Sequence, residues 1–199
     1  MTNPSYHAPV GGLPPQTQLL SGRAAFTTAY VVIPGDVMTD IVTSKLPFWS
    51  DSRFWVISRP LSGFAETFSQ YICEVMPGGG SERPEAEAQA QAVLFVIKGT
   101  LSLTLDGNTH NLEPGGYAYI APGSDWSVLN NSSSPVVFHW VRKIYEHVDG
   151  IDAPQSFVTN EKDIAPTAMP DTDGKWATTR FVDTDDLRHD MNVNIVTLE

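Results

Sequence analysis

The sequence predicts an all-β fold, built as an antiparallel barrel or sandwich. Short apolar segments recur between turn signals from residue 24 onward, at the spacing of strands joined by hairpins. The clearest strand is 100–105, where Leu101, Leu103 and Leu105 alternate with hydroxyl residues and therefore share one face. No window from 24 to 145 shows a sustained amphipathic helical period, which the βαβ units of a parallel α/β fold would need.

The elements follow from turn signals and apolar spacing. Residues 1–22 are predicted to form an irregular arm, because they hold four prolines and three glycines and no apolar period. Residues 84–92 are rich in Glu, Ala and Gln without an apolar stripe, which predicts a solvated loop or a single turn. Between residues 23 and 145 the predicted strands make one complete barrel: 26–33, 54–57, 68–76, 93–97, 100–105, 117–121, 126–129 and 136–141.

The C-terminal part changes in composition. Residues 146–175 are rich in Asp, Pro, Thr and Gly, which predicts an acidic, proline-rich linker. Two further strands are predicted at 176–182 and 191–198, and the second runs to the end of the sequence without a turn or partner. We therefore expect residues 176–199 to be the first strands of an incomplete second unit. Its unpaired edge and uncovered apolar face predict a homo-oligomer.

Composition limits the classes of partner. The 199 residues are 41% hydrophobic and 18% charged, within the globular range. The formal charge of −11 repels phosphate backbones and anionic membranes, so neither nucleic acid nor a membrane is an expected partner. The longest apolar run has six residues, 92–97, against roughly 20 for a membrane span. The first residues lack a secretory signal and Cys73 is the single cysteine, so we expect a soluble cytoplasmic protein.

Turn residues between 77 and 130 form the most specific pattern in the chain. A Pro-Gly-Gly-Gly run at 77–80 and Gly99 frame one segment, and Gly115, Gly123 and Asn130 mark another. The pattern resembles the cupin family, whose jelly roll has two signature segments. The first is a Gly, a His-x-His and a Glu before another Gly, and the second is G-x5-P-x-G-x2-H-x3-N. The second segment matches here, with Ala121 in place of its proline.

The metal ligands of those segments are missing. Residues 81–92, where the first segment would carry two histidines and a carboxylate, contain no histidine. Trp126 stands at the histidine position of the second segment. A divalent metal needs three or four converging N or O donors. The resemblance therefore predicts that residues 23–145 form a complete cupin without a metal site, in which no metal-binding or catalytic residue can be named.

Longer stretches are similar to the (S)-ureidoglycine aminohydrolase family of purine and allantoin breakdown, whose members are two-cupin proteins. The resemblance implies a Mn²⁺ enzyme that hydrolyses a small ureide, (S)-ureidoglycine, to (S)-ureidoglycolate and ammonia. It places the ligands in the second cupin, in a Glu-x-His-x3-His pattern after the strand that ends at Glu199. We therefore expect this chain alone to bind no Mn²⁺ and to be inactive. The stretches that carry the resemblance are 23–34, 94–99, 116–123 and 190–199.

A non-enzymatic function is the alternative, in which the metal-free barrel binds a small ligand or serves oligomerisation. Tyr117, Tyr119, Trp126 and Trp140 are the candidate residues, lining the barrel mouth as an apolar pocket or filling the barrel instead. Because Trp126 takes the place of an inward-pointing ligand, we expect its indole inside a filled barrel. The five histidines are scattered, and His139 is expected to point inward as a core residue.

Overall fold

The computed structural model describes residues 24–26, 30–35, 38, 43–60 and 67–198. The predicted arm at 1–22 lies outside these residues. The described part is all-β, as predicted, with one 3₁₀ turn at Glu161–Asp163 in its C-terminal third. The strands are β1 (Ala25–Phe26), β2 (Val31–Val32), β3 (Ser50–Ser58), β4 (Phe68–Ser81), β5 (Ala90–Lys98), β6 (Leu101–Leu105), β7 (Asn108–Leu112), β8 (Gly116–Ile120), β9 (Trp126–Leu129), β10 (Val136–Ile144), β11 (Phe157–Asn160), β12 (Thr167–Ala168), β13 (Trp176–Thr179) and β14 (Ile195–Leu198).

The main sheet winds into a nearly closed barrel. Its strands are hydrogen-bonded in the order β11-β8-β5-β10-β4-β9-β6-β7, and β3 pairs with β4 beside this path. All of these pairs are antiparallel, which is the jelly-roll arrangement. The long strand β4 pairs with β10 along its first part and with β9 at its end, so it carries the chain from one side of the barrel to the other.

Alternation of side chains gives each strand an inner and an outer face. On β6, Leu101, Leu103 and Leu105 are buried and the hydroxyl residues between them are partly exposed, which confirms the predicted strand. Gly99 makes the tight turn before β6 with φ of 78°, and a Cβ there would approach the Pro135 carbonyl oxygen to 2.8 Å. Glycine is therefore required at this corner of the barrel.

Two outer surfaces of the barrel are covered by flanking segments. Met38 and the partly buried Ile33 pack against Trp55 on one side. Phe181 and the partly buried Met191 pack against the outer side of β5 and β8. Among the residues that the structure describes, one apolar cluster lies inside the barrel and two lie outside it.

The C-terminal third differs from a plain linker followed by strands. Strand β11 lies within the segment predicted as a linker and extends the main sheet by pairing with β8. Strands β12, β13 and β14 form a separate sheet with β13 in the middle. On this sheet Trp176, Val196 and Leu198 are 42%, 51% and 71% exposed. Among the described residues, no helix is long and apolar enough to cross a membrane.

Candidate functional site: the barrel interior and the mouth above it

Trp126 and Trp140 lie together inside the barrel. Trp126 opens β9 and is 7% exposed, and Trp140 is 2% exposed on β10. Their ring centroids are 6.0 Å apart in an edge-to-face arrangement, and both belong to the inner core cluster. Trp49 and Tyr71 add two more rings, 5.6 Å and 5.4 Å from Trp140. The expectation that the Trp126 indole sits inside the barrel is confirmed.

Tyr117 and Tyr119 lie on the opposite face. Strand β8 turns Ala118 and Ile120 into the inner cluster, so the two tyrosines between and beside them point outward. Both are fully buried there, under the C-terminal segment, and burial raises the pKa of each phenol. The structure therefore does not bring the two tyrosines together with Trp126 and Trp140.

His139 also points away from the interior. Phe138 and Trp140 on β10 belong to the inner cluster, so the histidine between them takes the outer face. Its Nδ1 lies 3.4 Å from the amide nitrogen of Gln70. The expectation of an inward histidine is wrong, because Phe138 and Trp140 occupy the inner face and successive side chains of a strand point to opposite faces.

A polar network fastens the C-terminal segment to this outer face. The Tyr119 hydroxyl donates to Gln91 Oε1 at 2.8 Å, and the Gln91 amide donates to Asp190. Asp190 also accepts from Lys143 Nζ at 2.8 Å and from the backbone N–H of Glu146 at 3.0 Å. Burial opposes ionisation of Asp190, yet the hydrogen bonds from Lys143, Gln91 and Glu146 prevail and hold its pKa below the ordinary value.

His189 sits beside this network in a desolvated position. Its side chain is 6% exposed, its ring centroid is 4.6 Å from that of Tyr119, and its Nδ1 has no partner among the described residues. Burial lowers the pKa of the imidazole, although Asp186 faces its Nε2 at 3.8 Å. The neutral form is therefore favoured in the folded protein.

An ion pair joins the loop before β5 to the face of β10 that carries Trp140. Arg142 follows Trp140 on the same face of β10, and its guanidinium binds the Glu85 carboxylate through both Nε and Nη2, the latter at 3.0 Å. Glu85 Oε1 also accepts the backbone N–H groups of Ala86 and Glu87, each at 3.0 Å. Both oxygens of the Glu85 carboxylate are thus bonded to groups of this chain.

The sequence pattern does not reveal this ion pair. The run of Ala, Gln and Glu around Glu85 predicts a solvated loop. Its side chain is only 10% exposed. Arg142 lies two residues after Trp140 and four after Phe138, so all three side chains share one face of β10. That spacing indicates an inward arginine, whose charge needs a partner.

The described residues of this barrel do not fit a bound manganese ion. Among the described residues, no group of three or more His, Cys, Asp or Glu side chains converges on a point that could hold a metal ion. The two signature segments contribute Trp126, an indole without a lone pair to donate, and Glu85, which Arg142 neutralises. The barrel interior around Trp126 and Trp140 is filled by apolar side chains.

Two clefts flank the loop that carries Glu82 and Arg83. One, of about 360 Å³, lies at the mouth between this loop and residues 123–126, with Trp126 in its wall. The other, of about 760 Å³, lies over the outer face of β6, β7 and β9. Both volumes lie within the roughly 300–1,000 Å³ of small-molecule sites, and the second cleft is about twice as large as the first.

Comparisons with known proteins agree with this architecture. Residues 71–142 match the cupin domain model. The crystal structure of the "Putative Glyoxylate Induced Protein" from Pseudomonas aeruginosa is 60% identical, with a TM-score of 0.89 over 98% of this chain and 71% of that one. Protein Ylba from E. coli shares the fold at 21% identity, with a TM-score of 0.74 over 91% of this chain and 69% of that one.

One curated protein carries a named activity. The (S)-ureidoglycine aminohydrolase of Escherichia coli K12 is 24% identical over 110 residues. The match covers 55% of this chain and 41% of that enzyme, so this chain aligns with less than half the length of its curated relative.

Proposed function

Because this chain belongs to the cupin family, we propose that it serves the reaction of its curated relative, the hydrolysis of (S)-ureidoglycine to (S)-ureidoglycolate and ammonia. The observation that carries the proposal is the match to the E. coli aminohydrolase over 110 residues. The resemblance of the stretches 94–99 and 116–123, which lie in and around β5 and β8, supports it from the sequence.

We propose a two-cupin arrangement for this function, with the described barrel as the metal-free unit. The filled interior around Trp126 and Trp140 supports the placement of the catalytic site outside this barrel, in the second cupin. A second cupin would begin with β13 and β14 and would supply the Mn²⁺ ligands. This chain covers 71% of the Pseudomonas aeruginosa protein, which leaves room in that relative for such a unit.

Ammonia release tests both parts of the proposal. Freshly prepared (S)-ureidoglycine is incubated with the 199-residue chain and with a version extended through the adjoining coding sequence, each with added Mn²⁺. We expect negligible turnover above the uncatalysed rate in the shorter chain. The extended chain is expected to release ammonia, and removal of Mn²⁺ by a chelator is expected to abolish that activity.

Each outcome has a separate meaning. Turnover by the 199-residue chain would refute the placement of the site outside it. An extended chain that contains a Glu-x-His-x3-His segment, binds Mn²⁺ and still releases no ammonia would refute the aminohydrolase assignment itself. Titration of Mn²⁺ into each chain, followed by electron paramagnetic resonance, separates loss of metal from loss of chemistry.

We also propose that the protein associates through the sheet formed by β12, β13 and β14. Three large apolar side chains, Trp176, Val196 and Leu198, are exposed on it, which is more than a single scattered contact. Light scattering at several protein concentrations tests this. A dimer or larger species is expected for the 199-residue chain, and a monomer at all concentrations contradicts the proposal.

A further inference from the structure

The outer face of β6, β7 and β9 forms the floor of the cleft of about 760 Å³. Thr104 on β6 is paired with Ser127 on β9 and with Thr109 on β7, so three hydroxyl side chains form a row across neighbouring strands. Strands lie about 4.8 Å apart, and the row therefore extends about 10 Å. Ser102, two residues before Thr104, adds a fourth hydroxyl on the same face.

These hydroxyl groups keep capacity for a ligand. Thr104 and Thr109 share one hydrogen bond at 3.1 Å, which uses one donor and one acceptor of the two groups. Within the part of the chain that the structure describes, the hydroxyls of Ser102 and Ser127 have no side-chain partner. A hydroxyl offers one donor and two acceptor positions. The floor can therefore donate to and accept from several groups of one ligand.

An aromatic ring and a cation form the wall of the cleft. Phe48 is 64% exposed, and the Arg83 guanidinium lies 5.6 Å from its ring centroid. The backbone of Phe48 has φ of 66°, a conformation that bulky residues rarely adopt. The Phe48 ring borders the cleft and offers an exposed apolar surface there.

The floor and wall are held in close contact by Gly80. A Cβ at Gly80 would collide with the Val128 carbonyl oxygen, so the end of β4 lies directly against β9. This close approach fixes the loop that begins at Ser81 relative to the hydroxyl row. The cleft is thus built on paired strands, which position binding groups more accurately than free loops.

The charges of the cleft favour an anion at its Arg83 end. Arg83 is the basic residue of the cleft, and it has no ion-pair partner among the residues that the structure describes. Glu82, its neighbour, is the acidic residue and also borders the smaller cleft at the mouth. A guanidinium presents a donor fork that fits a carboxylate or phosphate.

We propose that this cleft binds an anionic sugar, a monosaccharide-sized polyol that carries one carboxylate or phosphate group. The hydroxyl row would bind the polyol edge, the Phe48 ring would cover its C–H face, and Arg83 would bind the anionic group. The proposal is independent of the ureide reaction, because it uses neither the barrel interior nor the sheet of β12, β13 and β14.

Amide chemical shifts of the ¹⁵N-labelled 199-residue chain test the proposal. D-Glucuronate and D-glucose 6-phosphate are the anionic probes, and D-glucose is the uncharged match. We expect saturable shifts at Ser102, Thr104, Thr109 and Ser127 with at least one anionic probe, and affinity about tenfold weaker for D-glucose. Absence of saturable shifts with both anionic probes, or shifts confined to other surfaces, overturns the proposal.

Variants assign the roles within the cleft. Phe48→Ala is expected to lower the affinity for the anionic probe about tenfold. Arg83→Gln is expected to lower that affinity to the value measured for D-glucose. Thr104→Val removes one hydroxyl while keeping the branched shape, and a smaller loss is expected. Leu187→Ala and Lys98→Gln are the exposed apolar and charged controls, expected to leave binding unchanged. Equal loss in the controls, or full retention in Phe48→Ala and Arg83→Gln, contradicts the site.

Discussion

The two faces of strands β5 and β8 are both buried, but by different parts of the chain. On the inner face, Leu94 and Ala118 are covered by other strands of the barrel itself. On the outer face, Tyr117 and Tyr119 are covered by Phe181 and other residues that lie far along the sequence. The inner face is apolar throughout its centre, whereas the outer face holds a polar network.

This difference separates the stability of the barrel from the attachment of its C-terminal segment. Closing the barrel buries the inner face at once, because β5 pairs with β8 and β10 and β8 pairs with β5 and β11. The outer face is buried only when the segment that contains His189 and Asp190 docks on it. Changes inside are therefore expected to affect global unfolding, and changes outside to release the segment first.

The largest expected effect is inside the barrel. Trp126→Ala should lower the free energy of unfolding by about 3–5 kcal/mol, because it leaves a cavity beside Trp140. Urea denaturation measures the change. Leu187→Ala is the control, since Leu187 is 78% exposed and its truncation is expected to cost far less. If Trp126→Ala keeps full stability, the interior placement fails and the barrel should be screened for metals.

The next effect tests the docking of the outer face. Phe181 stacks on Tyr117 with ring centroids 4.0 Å apart. Phe181→Ala should cost about 2–3 kcal/mol, below the range for a closed core because solvent can enter the site. Hydrogen exchange should accelerate in β13 and β14 while β5 keeps its protection. Uniform acceleration in all strands would show that the two regions unfold as one unit.

Asp190 is expected to contribute less, and in a pH-dependent way. Asp190→Asn should cost about 2 kcal/mol at pH 7, because it removes the charge-assisted bond from Lys143. The pKa of Asp190 is below its ordinary value in the folded protein, so its contribution is present above about pH 4 and is lost as the pH falls through the folded pKa. Urea denaturation across the acid range should show the difference between wild type and variant begin to shrink as the pH falls below about 4. A constant difference contradicts the assignment.

The smallest effect compares the two outer tyrosines. Tyr119→Phe should cost about 1–2 kcal/mol, because Gln91 Oε1 loses its donor at 2.8 Å. Tyr117→Phe should change stability by less than about 0.5 kcal/mol, because the Tyr117 hydroxyl is buried without a partner among the described residues. The two variants serve as controls for each other. Equal losses of stability in thermal denaturation would contradict the hydrogen bond assigned to Tyr119.

Local patterns predicted the strands more reliably than their ends or their neighbours. The alternation at 100–105 became β6, and the apolar run before Gly99 became β5. The predicted loop at 84–92 was too long by three residues, since β5 begins at Ala90. Strand β11 was missed, because Phe157–Asn160 is stabilised by pairing with β8 and has little pattern of its own.

The candidate site was less predictable because it depends on contacts between distant residues. Trp126 could be placed inside from its position in the family pattern alone. The orientation of Tyr117 and Tyr119 could not be predicted from the sequence, because either face of β8 is apolar enough to be the inner one. The cleft beside Phe48 arises from a loop that lies over three strands, and no single segment of sequence encodes it.

The sequence by itself determined that the chain is all-β, which turns carry glycine, and that the signature positions hold Trp126 instead of a metal ligand. These are local properties of residue type and spacing. Only the tertiary structure decided which face of each strand is inside, that Arg142 neutralises Glu85, and that Gln91 binds Asp190, 99 residues along the chain. A strand's alternation fixes two faces but not which is buried, because burial depends on what the rest of the chain places against them.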